Sequence, residues 1–477
     1  MPGSSAIYQP RNPQDSAYYH CVEDNFETFE QVYEDRFERQ YGFFRPYVKH
    51  VICRYLDCGI LHNGFARVRC EECGHEYLLA FSCKRRHFCP SCHQKRVVEF
   101  GEWICEEVLK AVPHRHFIFS IPKILRRYFL YNRSLLSELS RCGWESLKVF
   151  FQDTVPEKDA VPGAAVAIQS FGDFLGFNPH LHVLSTDGCF YGGGMFRVAP
   201  RFETKHLEEI FRYKVFKMLL SKGKITQDLV SMLLSWHHSG FNVFCGPRIQ
   251  AGDPQAMENL ARYIIRASFS QERMTYIPEE SKVRYQSKDG KEEKVFDALE
   301  WLAAMCSHVP NKGEQMVRYY GYYSNVSRGK RQKENQDGHI PYILEQEGSK
   351  KEYRKNWARL IQKIYEVDPL TCPKCQGQMR IISFIEDEEV IKKILKHLGL
   401  WAVKVYPPSF WRARPPPRAN ALPKHESFID YSHRGVGPYG PEADSQLPVP
   451  ARHCSRAGEA GGSDKWLYVD PEYLSES

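Results

Sequence analysis

Cysteine is concentrated in one part of this sequence, and this concentration constrains the fold more than any other feature. Of the 16 cysteines, nine lie between Cys21 and Cys105. Two C-x2-C pairs stand among them, separated by 15 residues. This spacing is typical of two tight turns that present four thiolates to one tetrahedral zinc ion. We therefore predict one structural zinc site, with these four ligands: Cys70, Cys73, Cys89 and Cys92.

The neighbours of these pairs leave alternatives open. Cys83 is the best candidate for a further ligand, either in a second site or in place of one of the four. Four thiols buried in a core would need no metal at all. We expect the other nearby residues to be solvated or hydrogen-bonded: Cys58, His62, His75, His87 and His93. Cys372 and Cys375 form only half a zinc site, because no partner pair is evident for them.

The composition excludes several classes of protein. The chain has 477 residues, of which 42% are hydrophobic and 26% charged, as in a globular protein with a core of its own. The N-terminus lacks the apolar segment of a secretory signal, and no run of about 18 apolar residues is available to span a membrane. We therefore expect a cytoplasmic protein with reduced cysteines, because disulfides belong to oxidising compartments.

Five segments of the chain differ in composition and periodicity. Residues 1–25 are expected to be flexible, and residues 26–105 to form a helical, zinc-binding domain that contacts DNA. Within residues 106–276, strands that alternate with helices over residues 114–266 predict a single α/β sandwich domain. Residues 277–402 form a mixed C-terminal region with a basic, tyrosine-rich stretch. Residues 403–477 are rich in Pro and Gly and lack periodicity, which predicts a disordered tail.

The charged residues indicate where a nucleic acid would bind. The net charge of +7 permits such a partner without requiring it. Two stretches, 83–96 and 318–333, are rich in cations and contain no acidic residue. We interpret both as DNA-contacting surfaces, with a solvated face as the alternative for the first. The candidate contacts are Lys84, Arg85, Arg86, Lys95, Arg96, Arg318, Arg328, Lys330 and Arg331. Packing or base stacking is expected of Tyr319, Tyr320, Tyr322 and Tyr323.

Two histidines alternate along a predicted strand. Successive side chains of a strand point to opposite faces, so His180 and His182 share one face. Two neutral imidazoles with an oxygen ligand suit a divalent cation such as Mg²⁺ or Mn²⁺. Asp173, in the preceding loop, is the candidate third ligand, and its alternative role is to stabilise a turn. His114 and His116 repeat the spacing around an arginine, and we assign them no metal.

A predicted helix further along the chain carries a candidate nucleophile. Tyr263 is flanked on this helix by Arg262 and Arg266, whose side chains would bind a phosphate group. Most of the 27 tyrosines must be core or surface residues, so a single tyrosine alone is a weak signal.

Several segments, in order along the chain, resemble one known family. FGDFLGFNPHLHVLSTDGCF is similar to the HUH motif region of the rolling-circle insertion-sequence transposases, the group typified by insertion sequence ninety-one. ENLARYIIRASFSQERM resembles their nucleophile helix, and VRCEECGHEYLLAFSCKRRHFCPSCHQKR their zinc-binding domain. Two more segments resemble their C-terminal signatures: HVPNKGEQMVRYYGYYSNVSRGKR and CPKCQGQMRIISFIED. The resemblance runs from about residue 30 to residue 401.

The resemblance implies an α+β protein, with an N-terminal zinc module and an RRM- or ferredoxin-like HUH nuclease domain around a central antiparallel sheet. His180 and His182 would hold a divalent cation that polarises the scissile phosphate. Tyr263 would form a 5′-phosphotyrosine and release a 3′-hydroxyl. Two-tyrosine members carry a second tyrosine where this chain has Asn259, so a single-tyrosine mechanism is expected.

The resemblance also implies the partners of the protein. These are single-stranded or hairpin ends of an element and target DNA, without a membrane or a nucleotide cofactor, and the protein would associate with the nucleoid when it acts. Two other functions remain as alternatives. One is a catalytically inactive, zinc-containing DNA-binding protein, against which the intact set of His180, His182 and Tyr263 argues. The other is a metal-dependent hydrolase of small phosphoesters, which would need neither the basic stretches nor the zinc module.

Overall fold

The structure is a computed structural model that describes most of the chain up to residue 401. The described residues are 12–85, 87–192, 194–333, 358, 361–362 and 368–401. The predicted tail over residues 403–477 lies outside them, as do residues 1–11 of the predicted flexible N-terminus. No helix among the described residues is both long enough and apolar enough to cross a lipid bilayer.

The described chain contains both helices and strands. The helices are α1 (Ala17–Arg36), α2 (Glu38–Tyr41), α3 (Pro46–Leu56), α4 (Pro90–Trp103), α5 (Lys123–Tyr131), α6 (Ser134–Thr154), α7 (Thr204–Ser221), α8 (Gln227–Ser235), α9 (Pro254–Ile264), α10 (Ala298–His308), α11 (Asn325–Lys333) and α12 (Glu388–His397). The strands are β1 (Phe65–Cys70), β2 (Glu76–Ala80), β3 (His114–Ser120), β4 (Gly163–Phe171), β5 (Phe177–Thr186), β6 (Gly188–Tyr191), β7 (Met195–Val198), β8 (Asn242–Ile249), β9 (Met274–Ile277), β10 (Lys282–Gln286), β11 (Glu293–Asp297), β12 (Val317–Gly321) and β13 (Met379–Ile385).

The first helix begins earlier than the sequence predicted. Ser16 caps α1, because its hydroxyl oxygen accepts a hydrogen bond from the backbone N–H of Tyr19. Tyr18 and Tyr19 are buried in the aromatic core that follows. The prediction of a flexible stretch through residue 25 is therefore wrong from Ala17 onward, since contacts with residues distant in sequence order this segment.

An aromatic core joins the first helices to a segment near residue 300. Tyr18 of α1, Phe88 and Trp301 of α10 all belong to it, and each is buried. Residues of α1 and α3 and residues between Phe269 and Val309 belong to this one core. The predicted domain boundary after residue 276 therefore falls inside one core and does not separate two domains.

A small antiparallel sheet contains the first C-x2-C pair at the end of one strand. Its strand order is β13–β1–β2, so its third strand comes from the far end of the described chain. Val68 of β1 pairs with Ile381 of β13, and both are buried in one apolar cluster. The zinc-binding region is thus completed by C-terminal residues.

The central sheet has five strands in the order β12–β4–β5–β3–β8, and every neighbouring pair is antiparallel. Four of them, β3, β4, β5 and β8, have helices after β3 and after β5, which is the β-α-β-β-α-β order of the ferredoxin-like fold. The predicted α+β architecture with a central antiparallel sheet is confirmed. The fifth strand, β12, lies beyond the domain predicted over residues 106–276, because this edge of the sheet is completed by a later segment.

The two faces of the central sheet are covered by different helices. On one face, Leu181 and Val183 pack in an apolar core with α5, α6, α7 and α8. The other face carries His180 and His182 and is covered by α4 and α9. Because side chains alternate along β5, one strand contributes both to the core and to the histidine face.

Candidate active site and metal centres

Three histidines lie together on the face of the central sheet that α9 covers. The Nε2 atoms of His180 and His182 are 3.1 Å apart, and His116 Nε2 lies 2.9 Å from His182 Nδ1. The sequence predicted no metal-site role for His116, because an arginine precedes it. Strand alternation explains the difference, since Arg115 points to the opposite face and pairs there with Asp187.

Burial keeps these three imidazoles neutral. It lowers the pKa of His180 and of His116 to about 4, and the pKa of His182 to well below its usual range. The backbone carbonyl oxygen of Asn178 lies 2.7 Å from His180 Nδ1 and accepts a hydrogen bond from its N–H group. The lone pair of His180 Nε2 is then free, and a neutral imidazole with a free lone pair is the form that binds a metal ion.

Tyr263 extends from α9 onto this histidine face. Its ring packs edge-on against His182, with the two ring centroids 5.5 Å apart. The guanidinium of Arg266 lies 4.9 Å from the Tyr263 ring centroid. Arg266 and Arg126 both lower the pKa of His180 by their positive charge. The structure thus brings the predicted histidines, tyrosine and Arg266 together, and adds Arg126, which no sequence motif marked.

Asp173 does not join this site. Its side chain is exposed, and it forms no group with His180 and His182 among the described residues whose ligand atoms cluster. The loop is drawn elsewhere, because Leu175 is buried in the aromatic core and its carbonyl oxygen lies 2.9 Å from His308 Nε2. The prediction of Asp173 as the third ligand is therefore wrong for this structure.

Gln169 lies where an oxygen ligand was expected. It stands opposite His180 on the neighbouring strand β4, so both side chains share one face. Its Nε2 donates a hydrogen bond of 2.9 Å to the backbone carbonyl of Ile264 in α9, the helix that carries Tyr263 and is called the tyrosine helix below. Its Oε1 is buried and has no hydrogen-bond partner among the described residues. An unpaired amide oxygen beside two neutral imidazoles is a donor set that suits a divalent cation.

The four cysteines of the predicted zinc site do not come together. The described residues form two groups of four thiols, each with its sulfur atoms within 4.8 Å of one another. Quartet one consists of Cys58, Cys83, Cys89 and Cys92. Quartet two consists of Cys70, Cys73, Cys372 and Cys375. The prediction of one site was wrong, because C-x2-C spacing shows which thiols share a turn but not which other cysteines meet them. Cys58, which was expected to be only solvated or hydrogen-bonded, joins quartet one together with Cys83, the predicted further ligand.

Quartet one is enclosed, and all four of its cysteines are buried. The sulfur atoms of Cys58 and Cys89 are 3.9 Å apart, and those of Cys83 and Cys92 are 3.6 Å apart. The backbone N–H of Arg85 points at Cys83 Sγ, 3.4 Å away. A closed set of four sulfur ligands is the arrangement of a structural zinc site.

Quartet one leads directly into α4, which touches the tyrosine helix. His93 follows Cys92, and its Nε2 lies 2.8 Å from the backbone oxygen of Ile265, just past the end of α9. The two helices approach so closely that a Cβ on Gly101 would lie 2.8 Å from Cγ of Arg262. The cysteine region and the helix of Tyr263 therefore pack as one unit.

Comparisons with known proteins show what this chain is similar to. The family described as "Transposase zinc-binding domain" matches residues 28–121, which include all of quartet one. The family described as "Putative transposase" matches residues 163–331, which include His180, His182 and Tyr263. The chain matches transposases of the insertion sequence ninety-one type. No solved structure gives a significant match.

Two curated relatives support the transposase match. "Putative transposase y4qJ" of Sinorhizobium fredii is 28% identical over 346 residues, which cover 66% of this chain and 84% of that protein. The "Transposase for insertion sequence element IS801" of Pseudomonas savastanoi pv. phaseolicola is 22% identical over 362 residues, which cover 71% of this chain and 84% of that protein. These matches support transposase function, and transposases act on DNA. The zinc-binding domain and the cysteine quartets support structural zinc.

Part of the predicted DNA-contacting surface is buried. Lys95, Arg96 and Arg331 are each less than a tenth exposed, so the prediction that they face DNA is wrong. Arg331, for example, donates a hydrogen bond of 2.9 Å to the backbone oxygen of Tyr322. A count of charges does not show which side of a helix faces the core. Exposed or half-buried cations that stay candidates are Lys84, Arg85, Arg262, Arg266, Arg318, Arg328 and Lys330. Arg86 lies outside the described residues.

The tyrosines that follow α9 and α10 in the chain serve packing. Tyr319 and Tyr323 are buried. Tyr320 stacks on the ring of Trp144, and Tyr322 stacks on Phe190 with ring centroids 3.6 Å apart. Of the two roles expected for these residues, packing is the one these contacts support.

Proposed function

We propose that this transposase nicks and rejoins single-stranded DNA through a covalent bond to Tyr263. The observation that supports this most is the edge-on packing of Tyr263 against His182 on one sheet face. A phosphate bound near the histidines would therefore lie beside the phenol oxygen of Tyr263. Arg266 and Arg126, whose charges act on His180, would hold the negative charge of that phosphate.

The divalent cation we propose is Mg²⁺ or Mn²⁺, held by His180, His182 and Gln169. When bound, such a cation polarises the scissile phosphate as a Lewis acid. His116 supports the ligand set by accepting a hydrogen bond at Nε2 from His182 Nδ1–H, across 2.9 Å. This bond selects the tautomer of His182 whose Nε2 lone pair is available, so His116 is a positioning residue.

In the proposed reaction, the phenol oxygen of Tyr263 bonds to phosphorus while the bond from phosphorus to the 3′ oxygen breaks. The phenol loses a proton and the leaving oxygen gains one, so the products are a 5′-phosphotyrosine and a free 3′-hydroxyl. Attack by another 3′-hydroxyl reverses the step and joins the strands without a nucleotide cofactor. Asn259 lies one helical turn before Tyr263 and cannot supply a second nucleophile, so one tyrosine serves both steps.

The covalent adduct provides the direct test. Full-length protein is incubated with a random-sequence pool of single-stranded DNA and Mg²⁺ or Mn²⁺, then denatured, and the protein-linked DNA is isolated and sequenced. Tyr263→Phe should lose the adduct, whereas Tyr213→Phe, a change at an exposed tyrosine, should keep it. An adduct on Tyr263→Phe would exclude this nucleophile. DNA binding without an adduct in either cation would instead favour the inactive DNA-binding protein.

Variants of the two candidate oxygen ligands test the cation site. Gln169→Ala should raise the Mg²⁺ concentration required for half-maximal adduct formation by about 10-fold to 100-fold, while Asp173→Ala leaves it unchanged. Gln169→Glu keeps an oxygen donor but loses the bond to the Ile264 carbonyl, so it separates ligation from helix support. A cation requirement that changes only in Asp173→Ala would return that residue to the site.

A further inference from the structure

We propose that quartet two binds a second zinc ion, which fastens the C-terminal strand and helix of the described chain to the N-terminal region. Cys372 and Cys375 lie outside both family matches, which end at residues 121 and 331. The geometry of the four thiols and of the two turns that carry them points to this ion.

The four sulfur atoms of quartet two are spaced as ligands of one ion. Cys70 Sγ is 3.5 Å from Cys375 Sγ, and Cys73 Sγ is 3.6 Å from Cys372 Sγ. A tetrahedron with Zn–S bonds of about 2.3 Å has its sulfur atoms about 3.8 Å apart. Cys73 and Cys375 are exposed, so burial in a core does not explain why these thiols gather.

Two turns of matching shape carry these thiols. Each C-x2-C pair is followed by a residue in the left-handed region, Gly74 with φ 69° and Gln376 with φ 64°. The backbone N–H of Gly377 then points at Cys375 Sγ, 3.4 Å away. A left-handed conformation costs a residue other than glycine about 1–2 kcal/mol, so Gln376 needs surroundings that hold it there. A metal ion bound across the turn supplies that constraint.

The second ion would join parts of the chain that are far apart in sequence. Cys70 and Cys375 are separated by 305 positions. Met379, the first residue of β13, pairs with Cys70 at the end of β1. Beyond β13, Ile391 and Leu395 of α12 pack against Phe65. The ion would therefore hold β13 in register as the third strand of the small sheet, with α12 packed on it.

Zinc content measures the proposal directly. Native mass spectrometry of the full-length protein, purified with Zn²⁺ as the only added metal, should show two zinc ions per chain. Cys372→Ser/Cys375→Ser should retain one, and Cys105→Ser/Cys245→Ser, which alters two half-buried thiols outside both quartets, should retain two. Equal zinc contents in the wild type and in Cys372→Ser/Cys375→Ser would overturn the proposal.

Thiol alkylation of the wild type keeps the test valid even if that variant fails to fold. Cys73 and Cys375 are exposed, so free thiols at these positions would react at once with iodoacetamide. Bound to zinc, they should resist alkylation until a chelator is added, and peptide mapping would then find both labelled. Rapid labelling of either cysteine in the zinc-loaded wild type would show that no ion is held there.

Discussion

Each of the two cysteine quartets offers four thiol ligands, but the two quartets join different parts of the chain. Quartet one draws its cysteines from residues 58–92 and buries all of them, whereas quartet two joins residues 70–73 to 372–375 and leaves two thiols exposed. Quartet one leads into α4 and, through His93, to the tyrosine helix. Quartet two leads to β13, whose apolar residues pack with residues of β1 and β2 in the small sheet. It follows that each quartet stabilises the element next to it, which is α4 for quartet one and β13 for quartet two.

The largest difference is expected when each quartet loses two ligands. A structural zinc ion contributes about 10–16 kcal/mol in zinc-finger peptides, which matches the whole stability of a domain, about 5–15 kcal/mol. Cys89→Ser/Cys92→Ser should therefore lower the yield of the DNA adduct by more than about 100-fold, with loss of the folded N-terminal region. Cys372→Ser/Cys375→Ser should keep most of the adduct. If both variants lost the same fraction of the adduct on the same DNA pool, the two quartets would not differ in their importance for the reaction.

A smaller effect is expected where quartet one meets the tyrosine helix. His93→Ala removes the donor to the Ile265 carbonyl and leaves a buried acceptor unpaired, at a cost of about 1–3 kcal/mol. The adduct should form about 10-fold more slowly, while the zinc content stays at the wild-type value. Gln94→Ala, a change at the half-buried next residue of α4, is the matched control. A His93→Ala variant that forms the adduct at the wild-type rate would show that α4 does not orient the tyrosine helix.

The smallest effect concerns the two left-handed residues of quartet two. A Cβ on Gly74 would meet nothing closer than Arg69 Nη2, 3.7 Å away, so Gly74→Ala tests the backbone alone. It should lower the free energy of unfolding of this region by about 1–2 kcal/mol. Gln376→Gly should raise this free energy of unfolding or leave it unchanged, because Gln376 already has a left-handed backbone conformation that glycine adopts without strain. Hydrogen exchange of β1 and β13 measures both, and stabilisation by Gly74→Ala would contradict the shape of the turn.

The sequence predicted those features of the site that depend on local spacing. Strand alternation placed His180 and His182 on one face, and the family resemblance placed Tyr263 on a helix across it. Features set by distant contacts were missed. Burial of Leu175 in a core formed by remote helices turns Asp173 away. The partner of Cys70 and Cys73 lies some 300 positions further on, beyond the reach of any spacing rule.

The same reasoning explains why the basic surface was only partly predicted. Lys95 and Arg96 lie on α4, and the sequence does not show that this helix packs against α9 and that both side chains are buried. His116 was set aside because of the charge on its neighbour, although the alternation that paired His180 with His182 also separates Arg115 from His116. Gln169 carries no motif, and only the register of β4 against β5 shows that it faces His180.

The late strand of the small sheet has a consequence during synthesis of the protein. Ribosomes add about 5–20 residues per second, so Cys375 follows Cys70, 305 positions earlier, after roughly 15–60 s. By the end of that interval the nascent chain contains all of quartet one, the histidine face and β12, while the edge of β1 that pairs with β13 still lacks its partner. An unpaired strand edge invites pairing with other chains. A chain that ends before residue 379 would therefore carry the histidine face and Tyr263, but one edge of its N-terminal sheet would be open to aggregation.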